Sequence, residues 1–350
     1  MTFALTALGE PIVQAPMAGG PSTPELAAAV CEAGGLGFLA AGYKAAAAVR
    51  EDIAAVRALT GRPFGVNLFA PPGPPGDAAE LERYAASLGA DASRHGAEAG
   101  APRHDDDGWA EKLDLVADER VAVVSFAFGC PSAGVVERLH AAGAAVWVTV
   151  TTAAEAREAA GAGADALVVQ GIEAGGHRGS FDDAAPGESG LLALLQVVRA
   201  AVDIPLVATG GVATGRGVAA VLAAGAEAAA LGSALMLTPE AATSPAHREA
   251  LSRGEAPTAL TRAFTGRLGR GIVNSFMRDH GDAAPRAYPD VHHITAPIRA
   301  AARKAGDGEA INMWAGQAYG LAQELPAGEL VRRLGAEARA ALREAARRWD

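Results

Sequence analysis

From residue 11 to residue 236 the chain repeats one pattern. A short unbroken apolar run is followed by an Ala-rich stretch with apolar residues every three or four positions. Unbroken apolar runs fit strands buried on both faces, and the 3.6-residue spacing fits helices covering them. The runs are PIVQAP (11–16), GLGFLAAG (35–42), FGVNLFA (64–70), VAVVSFAFG (121–129), AVWVTV (145–150), ALVVQG (166–171), IPLVATGG (204–211) and AEAAALGSALM (226–236). The helix signals between them are local. Thr23 can cap a helix that starts at Pro24 and ends at Gly34, and a second helix covers 44–59. Leu191, Leu194, Leu195 and Val198 form one helical face, as do Val218, Val221 and Leu222. Eight β–α alternations within about 240 residues predict a closed (β/α)8 TIM barrel, with an open doubly wound sheet as the alternative.

Two segments break the period. PPGPPG (71–76) opens an insertion that runs through the acidic HDDDG (104–108). Residues 241–311 hold no further β–α unit and are expected to form an inserted helical lid subdomain. The barrel would then comprise 1–240 plus 312–350, with a helix near 328–348 closing its outer ring.

Composition narrows the function classes. The 350 residues are half apolar, which is ample for a large core, and the formal charge of −10 with no basic stripe argues against nucleic acid. Cys31 and Cys130 make no disulfide framework. The N-terminus lacks a basic region ahead of its apolar residues, so a secretory signal is not expected and a cytoplasmic location is. The apolar stretch 218–237 holds Glu227 and several glycines, and so reads as a helix plus a strand rather than a membrane span. His292 and His293 are adjacent, which is no metal-ligand spacing on a helix, and no metal is expected.

In a barrel of this kind, chemistry sits where strands end. Gly210-Gly211 and Gly232-Ser233 end the seventh and eighth strands, the usual phosphate cradle of the fold. Asn67 and Gln170 end the third and sixth, and their amides can both donate and accept hydrogen bonds. The sharpest single residue is His177 in EAGGHRG (173–179), a polar, Gly-rich loop straight after a core strand. Histidine there can act as a general base or as a donor to an anion. Cys130 has no paired histidine and reads as a small core residue.

PIVQAPMAGG, FGVNLFAP, VVSFAFG, GADALVVQGIEAGGHRG, IPLVATGGVATGRGVAAVLAAGA, YPDVHHITAPIR and NMWAGQAYG together resemble the nitronate monooxygenases, formerly called 2-nitropropane dioxygenases. The EAGGHRG loop alone is also similar to that of flavin-dependent enoyl-ACP reductases. The resemblance implies a TIM barrel that binds FMN without covalent attachment. Met17, Asn67, Gln170, Gly175, Gly176, Gly211, the run Leu231, Gly232, Ser233, Ala234, and Gln317 would hold the flavin, and His177 would be the catalytic histidine. It implies oxidation of an alkyl nitronate by dioxygen to a carbonyl compound and nitrite, with propionate 3-nitronate as a plausible substrate. Arg178 or Lys44 would then meet that substrate's carboxylate. The rival is a flavin-dependent reductase that draws electrons from NAD(P)H. Oligomeric state is left open by the sequence, as is the role of the 71–107 insertion.

Overall fold

The computed structural model describes residues 3–349. Its main sheet is built from parallel strands β1 (Ile12–Gln14), β2 (Phe38–Ala40), β3 (Gly65–Phe69), β4 (Val123–Ala127), β5 (Ala145–Val150) and β6 (Ala166–Gln170). After a two-residue strand β7 (Gly176–His177), β8 (Leu206–Thr209) and β9 (Ala228–Leu231) complete it. The eight-stranded order is β1-β9-β8-β6-β5-β4-β3-β2. A bridge between Val13 and Leu36 joins the two ends, with Gln14 N–H donating to Leu36 O at 2.9 Å and Leu36 N–H to Ile12 O at 3.0 Å. The sheet is therefore a closed barrel, as the eight alternations predict.

Side-chain parity positions everything that follows. In β5, Val146, Val148 and Val150 face the helices, while Ala145 and Trp147 face the barrel axis. The same period of two turns Ala166, Val168, Val207, Ala228 and Ala230 inward. One step further along the inward positions lie Asn67, Ser125, Thr149, Gln170 and Thr209, which form a polar layer above the apolar plug. Helix starts follow their caps. Thr23 accepts from Leu26 N–H at 3.0 Å ahead of Pro24, and Thr152 with Glu155 forms a full capping box. The C-terminal helix Ala327–Ala346 packs on helices Gly215–Ala223 and Pro24–Glu32 in the outer ring.

The segment 241–311 carries helices Pro245–Arg253, Ser275–His280 and Asp290–Ala305, and also two strands, β10 (Thr258–Thr261) and β11 (Gly269–Ile272). These pair antiparallel in the order β10-β11-β7, so the Gly176–His177 loop becomes the third strand of an accessory sheet. Four-residue strands without alternation carry no periodic signal, which is why the sequence pattern shows none of this. The 71–107 insertion contributes helices Ala78–Ser87 and Gly89–Arg94 to the same layer. Leu81, Tyr84 and Leu88 share a core with Phe264, Phe276 and Ile294. His280 and Asp91, both buried, pair at 2.7 Å across that seam. The two segments thus form one cap over the C-terminal end of the barrel.

Candidate active site

A cavity of about 480 Å³ lies between the polar strand-end layer and the cap. That is within the size range of cofactor and small-ligand pockets. Its floor includes Asn67, Ser125 and Gln170. The Gln170 amide oxygen accepts from Gly179 N–H and from Arg178 Nη1, both at 2.9 Å. Those groups can only donate, so the amide orientation is settled and its NH2 group points the other way, donating to His177 O at 3.0 Å. Asn67 Oδ1 accepts from Ser125 Oγ at 2.9 Å, which leaves its NH2 for the cavity. The floor therefore presents donors.

One wall is backbone. Gly175 and Gly176 line it from the β6 side, and Gly210 and Gly211 from the end of β8, the last two at φ 120° and 68°. A Cβ on Gly175 would come within 2.5 Å of Ala315 C and Gly316 N, so only glycine lets the two segments meet. Gly176, at φ 75°, faces open space. Gly232, Ser233 and Ala234 follow β9 into a short 3-10 turn. Ser233 Oγ accepts from Gly316 N–H at 2.9 Å and so clamps the 312–319 segment over the cavity.

His177 hangs from the cap side. Its ring stands among aromatic rings, with centroids 5.1 Å from Trp314, 5.7 Å from Phe128 and 5.9 Å from Tyr288. Nε2 is 2.8 Å from Thr265 Oγ1, and Nδ1 has no protein partner among the described residues. Burial, with the charges of Arg267 and Arg299, lowers its pKa to about 3, so the imidazole is neutral at physiological pH. Tyr43 and Phe128 hold φ values of 66° and 77° at this wall, a left-handed backbone that L residues adopt at a cost. Asp107 sustains the Tyr43 conformation by accepting its N–H at 2.9 Å, while pairing with buried Lys112 at 2.6 Å. The acidic HDDDG stretch thus helps shape this wall.

The family model for nitronate monooxygenase matches residues 3–337. The chain belongs to the nitronate monooxygenase family. It is 41% identical to a nitronate monooxygenase of Paraburkholderia phytofirmans, covering 95% of this chain and 93% of that one. It is 42% identical to one of Pseudomonas aeruginosa, covering 96% and 98%. Among solved structures it is similar to a nitroalkane oxidase of Streptomyces ansochromogenes, with 52% identity, a TM-score of 0.93 and coverage of 97% and 99%. FabK of Thermotoga maritima is more distant, at 28% identity and a TM-score of 0.77, covering 97% and 95%. Like its family, the chain is an oxidoreductase. No helix among the described residues is long and apolar enough to cross a membrane.

For this family member, the residues expected from sequence mostly converge. His177, Met17, Asn67, Gln170, Gly175, Gly176, Gly211, Gly232, Ser233 and Ala234 all line the cavity. Two do not. Leu231 is buried in the outer core, because strand parity turns it away from Ala230 and Gly232. Gln317 is exposed; its N–H donates to Glu173 O at 3.0 Å, while its neighbours Gly316 and Ala318 face inward. The residues expected to meet a substrate carboxylate are also placed elsewhere. Arg178 is fully buried beneath the loop, and Lys44 pairs with Asp52 at 2.5 Å on the outside. Cys130 has its thiol pushed up to about 11 by burial, which makes a nucleophilic role unfavourable.

Thr265, Tyr43, His292 and Arg299 also line the cavity; none of them ends a barrel strand, so strand-end position does not single them out. The signal for two of them was the HHITAPIR stretch, whose spacing sets His292 and Arg299 on one helical face.

The buried histidines make the fold acid-sensitive. Burial lowers His177 to about 3, His247 to about 4 and His292 to about 2. The unfolded chain binds these protons below about pH 6.5, whereas the folded chain stays neutral. Stability is therefore greatest above pH 6.5 and falls as the pH drops towards 4. Each group contributes up to ~1.4 kcal/mol per pH unit, less for His177 and His292, whose edges face the cavity. Urea midpoints should fall steadily between pH 6.5 and 4.5, and a flat profile there would contradict these buried neutral states.

Proposed function

We propose that the enzyme oxidises alkyl nitronates with dioxygen, using FMN held in the cavity, to give a carbonyl compound and nitrite. The observation that carries this reading is His177, neutral and uncommitted at Nδ1, facing a donor floor of Asn67 and Gln170 across a glycine-walled cavity. The residues fit a flavin. The floor donors suit the carbonyl-bearing edge of the ring. The Gly210–Gly211 and Gly232–Ser233 backbone, which lines the cavity at the ends of β8 and β9, suits a phosphate. When bound, FMN supplies the electron transfer to dioxygen.

The protein's own contribution is binding and proton placement. Thr265 has a single hydroxyl proton and two acceptors for it, His177 Nε2 at 2.8 Å and Arg267 O at 3.2 Å. With the hydroxyl donating to Arg267 O, Nε2–H donates to Thr265 Oγ1 and Nδ1 presents a lone pair. With the hydroxyl turned towards Nε2, Nδ1 carries the hydrogen and donates to a nitronate oxygen. An imidazole at about 3 is a weak acceptor for a carbon-bound proton. The site therefore favours the nitronate, already deprotonated, over the neutral nitroalkane, and the Arg267 and Arg299 charges that depress His177 also attract that anion. Phe69, Phe128 and Trp314 supply an apolar wall for the alkyl part.

Thr265→Val should lower turnover about tenfold, the worth of one hydrogen bond at the barrier, while Thr265→Ser retains it. Equal rates in both variants would remove Thr265 from this role. The reading as a whole is tested by oxygen uptake of the purified protein with an alkyl nitronate and, in parallel, NADH, with mass spectrometry of the released cofactor. Uptake with the nitronate alone and a mass of FMN are expected. Uptake with NADH alone would assign the chain to the reductase side.

A further inference from the structure

The active-site cavity has a neighbour. A second cavity, of about 530 Å³, lies between the loops after β2 and β3, the 103–112 stretch and the start of helix Asp290–Ala305. Tyr43, Phe69 and His292 line both cavities. The three side chains touch. The Tyr43 ring stacks on His292 with centroids 4.1 Å apart and planes 3° from parallel, and it meets Phe69 edge-on at 5.3 Å. The two spaces therefore share a wall one side chain thick.

Each ring of that wall is fixed from outside the active-site cavity. The Tyr43 hydroxyl accepts from Tyr288 Oη at 3.3 Å, and its left-handed backbone is held by Asp107 from the acidic stretch. Phe69 lies against Gly42, where a Cβ would come within 2.1 Å of its Cε2, so only glycine admits the ring there. Arg299 Nη2 donates to His292 Nδ1 at 3.2 Å and to His292 O at 3.1 Å. A left-handed tyrosine persists only where the surrounding structure holds it, and such residues cluster at functional sites.

The wall stands close to His177. Phe128 bridges them, with ring centroids 4.5 Å from Phe69 and 5.7 Å from His177. Behind the wall the second cavity is lined by Ala45, Ala46, Ala70, Pro72 and Pro289, and its cations are paired: Arg103 with Asp105 at 2.7 Å, Lys112 with Asp107 at 2.6 Å and Lys44 with Asp52 at 2.5 Å. An apolar chain would find room there if the wall were open.

Resting on the nitronate reading above, we infer that Tyr43 determines specificity: with Phe69 and His292 it forms a stop that restricts the enzyme to nitronates of short alkyl chain. A longer chain meets packed rings rather than space, and packed rings yield only at a cost. No covalent step is involved. The 104–108 stretch gains a role as well, since Asp107 holds the stop in place.

The test compares propyl 1-nitronate with hexyl 1-nitronate by oxygen uptake. In the wild type kcat/KM should fall about tenfold or more from the shorter chain to the longer, within the range by which apolar pockets sort chain length. Tyr43→Gly removes the ring at a position whose φ of 66° suits glycine. It should raise the hexyl-to-propyl ratio about tenfold, and Phe69→Ala severalfold, whereas Tyr43→Phe keeps the ring and the wild-type ratio. General loosening of the site would slow both substrates alike and leave the ratio where it was. A ratio unchanged in Tyr43→Gly and Phe69→Ala overturns the proposal, as does a wild type that takes both chains equally. Should Tyr43→Gly not fold, Phe69→Ala opens the same wall from another strand. Calorimetric titration with 1-hexanol separates this inference from the nitronate reading. If the wild type oxidises neither nitronate, the monooxygenase reading fails, while 1-hexanol binding that tightens about tenfold in Tyr43→Gly or severalfold in Phe69→Ala still supports the stop. Binding no tighter in either variant than in the wild type overturns it.

Discussion

Replacing His177 by alanine should lower kcat/KM for an alkyl nitronate by about 10²-fold or more, with flavin still bound. The loss arises from the side chain alone. The His177 carbonyl still accepts from Gln170 Nε2, and the backbone still pairs with Gly269 in the accessory sheet. The loop and cavity floor therefore keep their shape, while the cavity loses the only imidazole nitrogen that Thr265 orients towards it. The effect should be larger on a neutral nitroalkane, which needs a base as well as a donor. Since that base sits at about 3 in the free enzyme, the wild type itself should be slow with neutral nitroalkanes. Steady-state oxygen uptake with both substrate forms, alongside the flavin absorbance of the variant, is the check. Full turnover of either form by His177→Ala would sink the assignment.

Arg178→Met should destabilise the fold by about 3 kcal/mol, because buried acceptors lose a charge-assisted donor, and should release the flavin. Arg178 donates through Nη1 to Gln170 Oε1 at 2.9 Å and Gly171 O at 2.7 Å, and through Nη2 to Gly187 O at 2.7 Å. Its own carbonyl accepts from Arg267 Nε at 3.1 Å. Methionine fills the volume but leaves Gly187 O without its donor, a loss that costs about 1–3 kcal/mol, and takes one of two donors from each of Gln170 Oε1 and Gly171 O, which keep Gly179 N–H and Ala174 N–H. Gln170 then loses one of the two donors that fix its amide, so the cavity floor loses its orientation. Urea midpoints and the fraction of flavin retained after gel filtration measure the two effects. A midpoint within error of wild type would show that Arg178 is not the strut the geometry makes it.

The neighbouring residues 177 and 178 illustrate what was legible in the chain. Their placement straight after an apolar run puts both at the barrel mouth, and sequence reasoning stops there. Strand alternation sends the ring of His177 into the cavity and the guanidinium of Arg178 beneath the loop. That alternation depends on the pairing of β7 with β11, a contact between residues about ninety positions apart in the chain.

The barrel is legible in the chain alone. Eight apolar runs, helix caps such as Thr23-Pro24, and glycines at strand ends are local features, each recorded within a few residues. The ring of strand-end residues is legible too, because a strand end at the top of a barrel can only face the mouth. Which members of that ring look inward depends on packing between distant segments. Leu231 and Gln317 lie one position off the inward parity or the inward turn, and a run of quoted letters does not reveal a half-period. Tertiary structure alone also decided the cap. Thr265, His292 and Arg299 reach the cavity because segments 71–107 and 241–311 pack on each other. The pairs that hold them, such as His280 with Asp91 and Tyr84 with Ala263, join residues more than 170 positions apart. Periodicity within a segment carries no information about such partners, and the electrostatics of the site, including the neutral state of His177, depend on them.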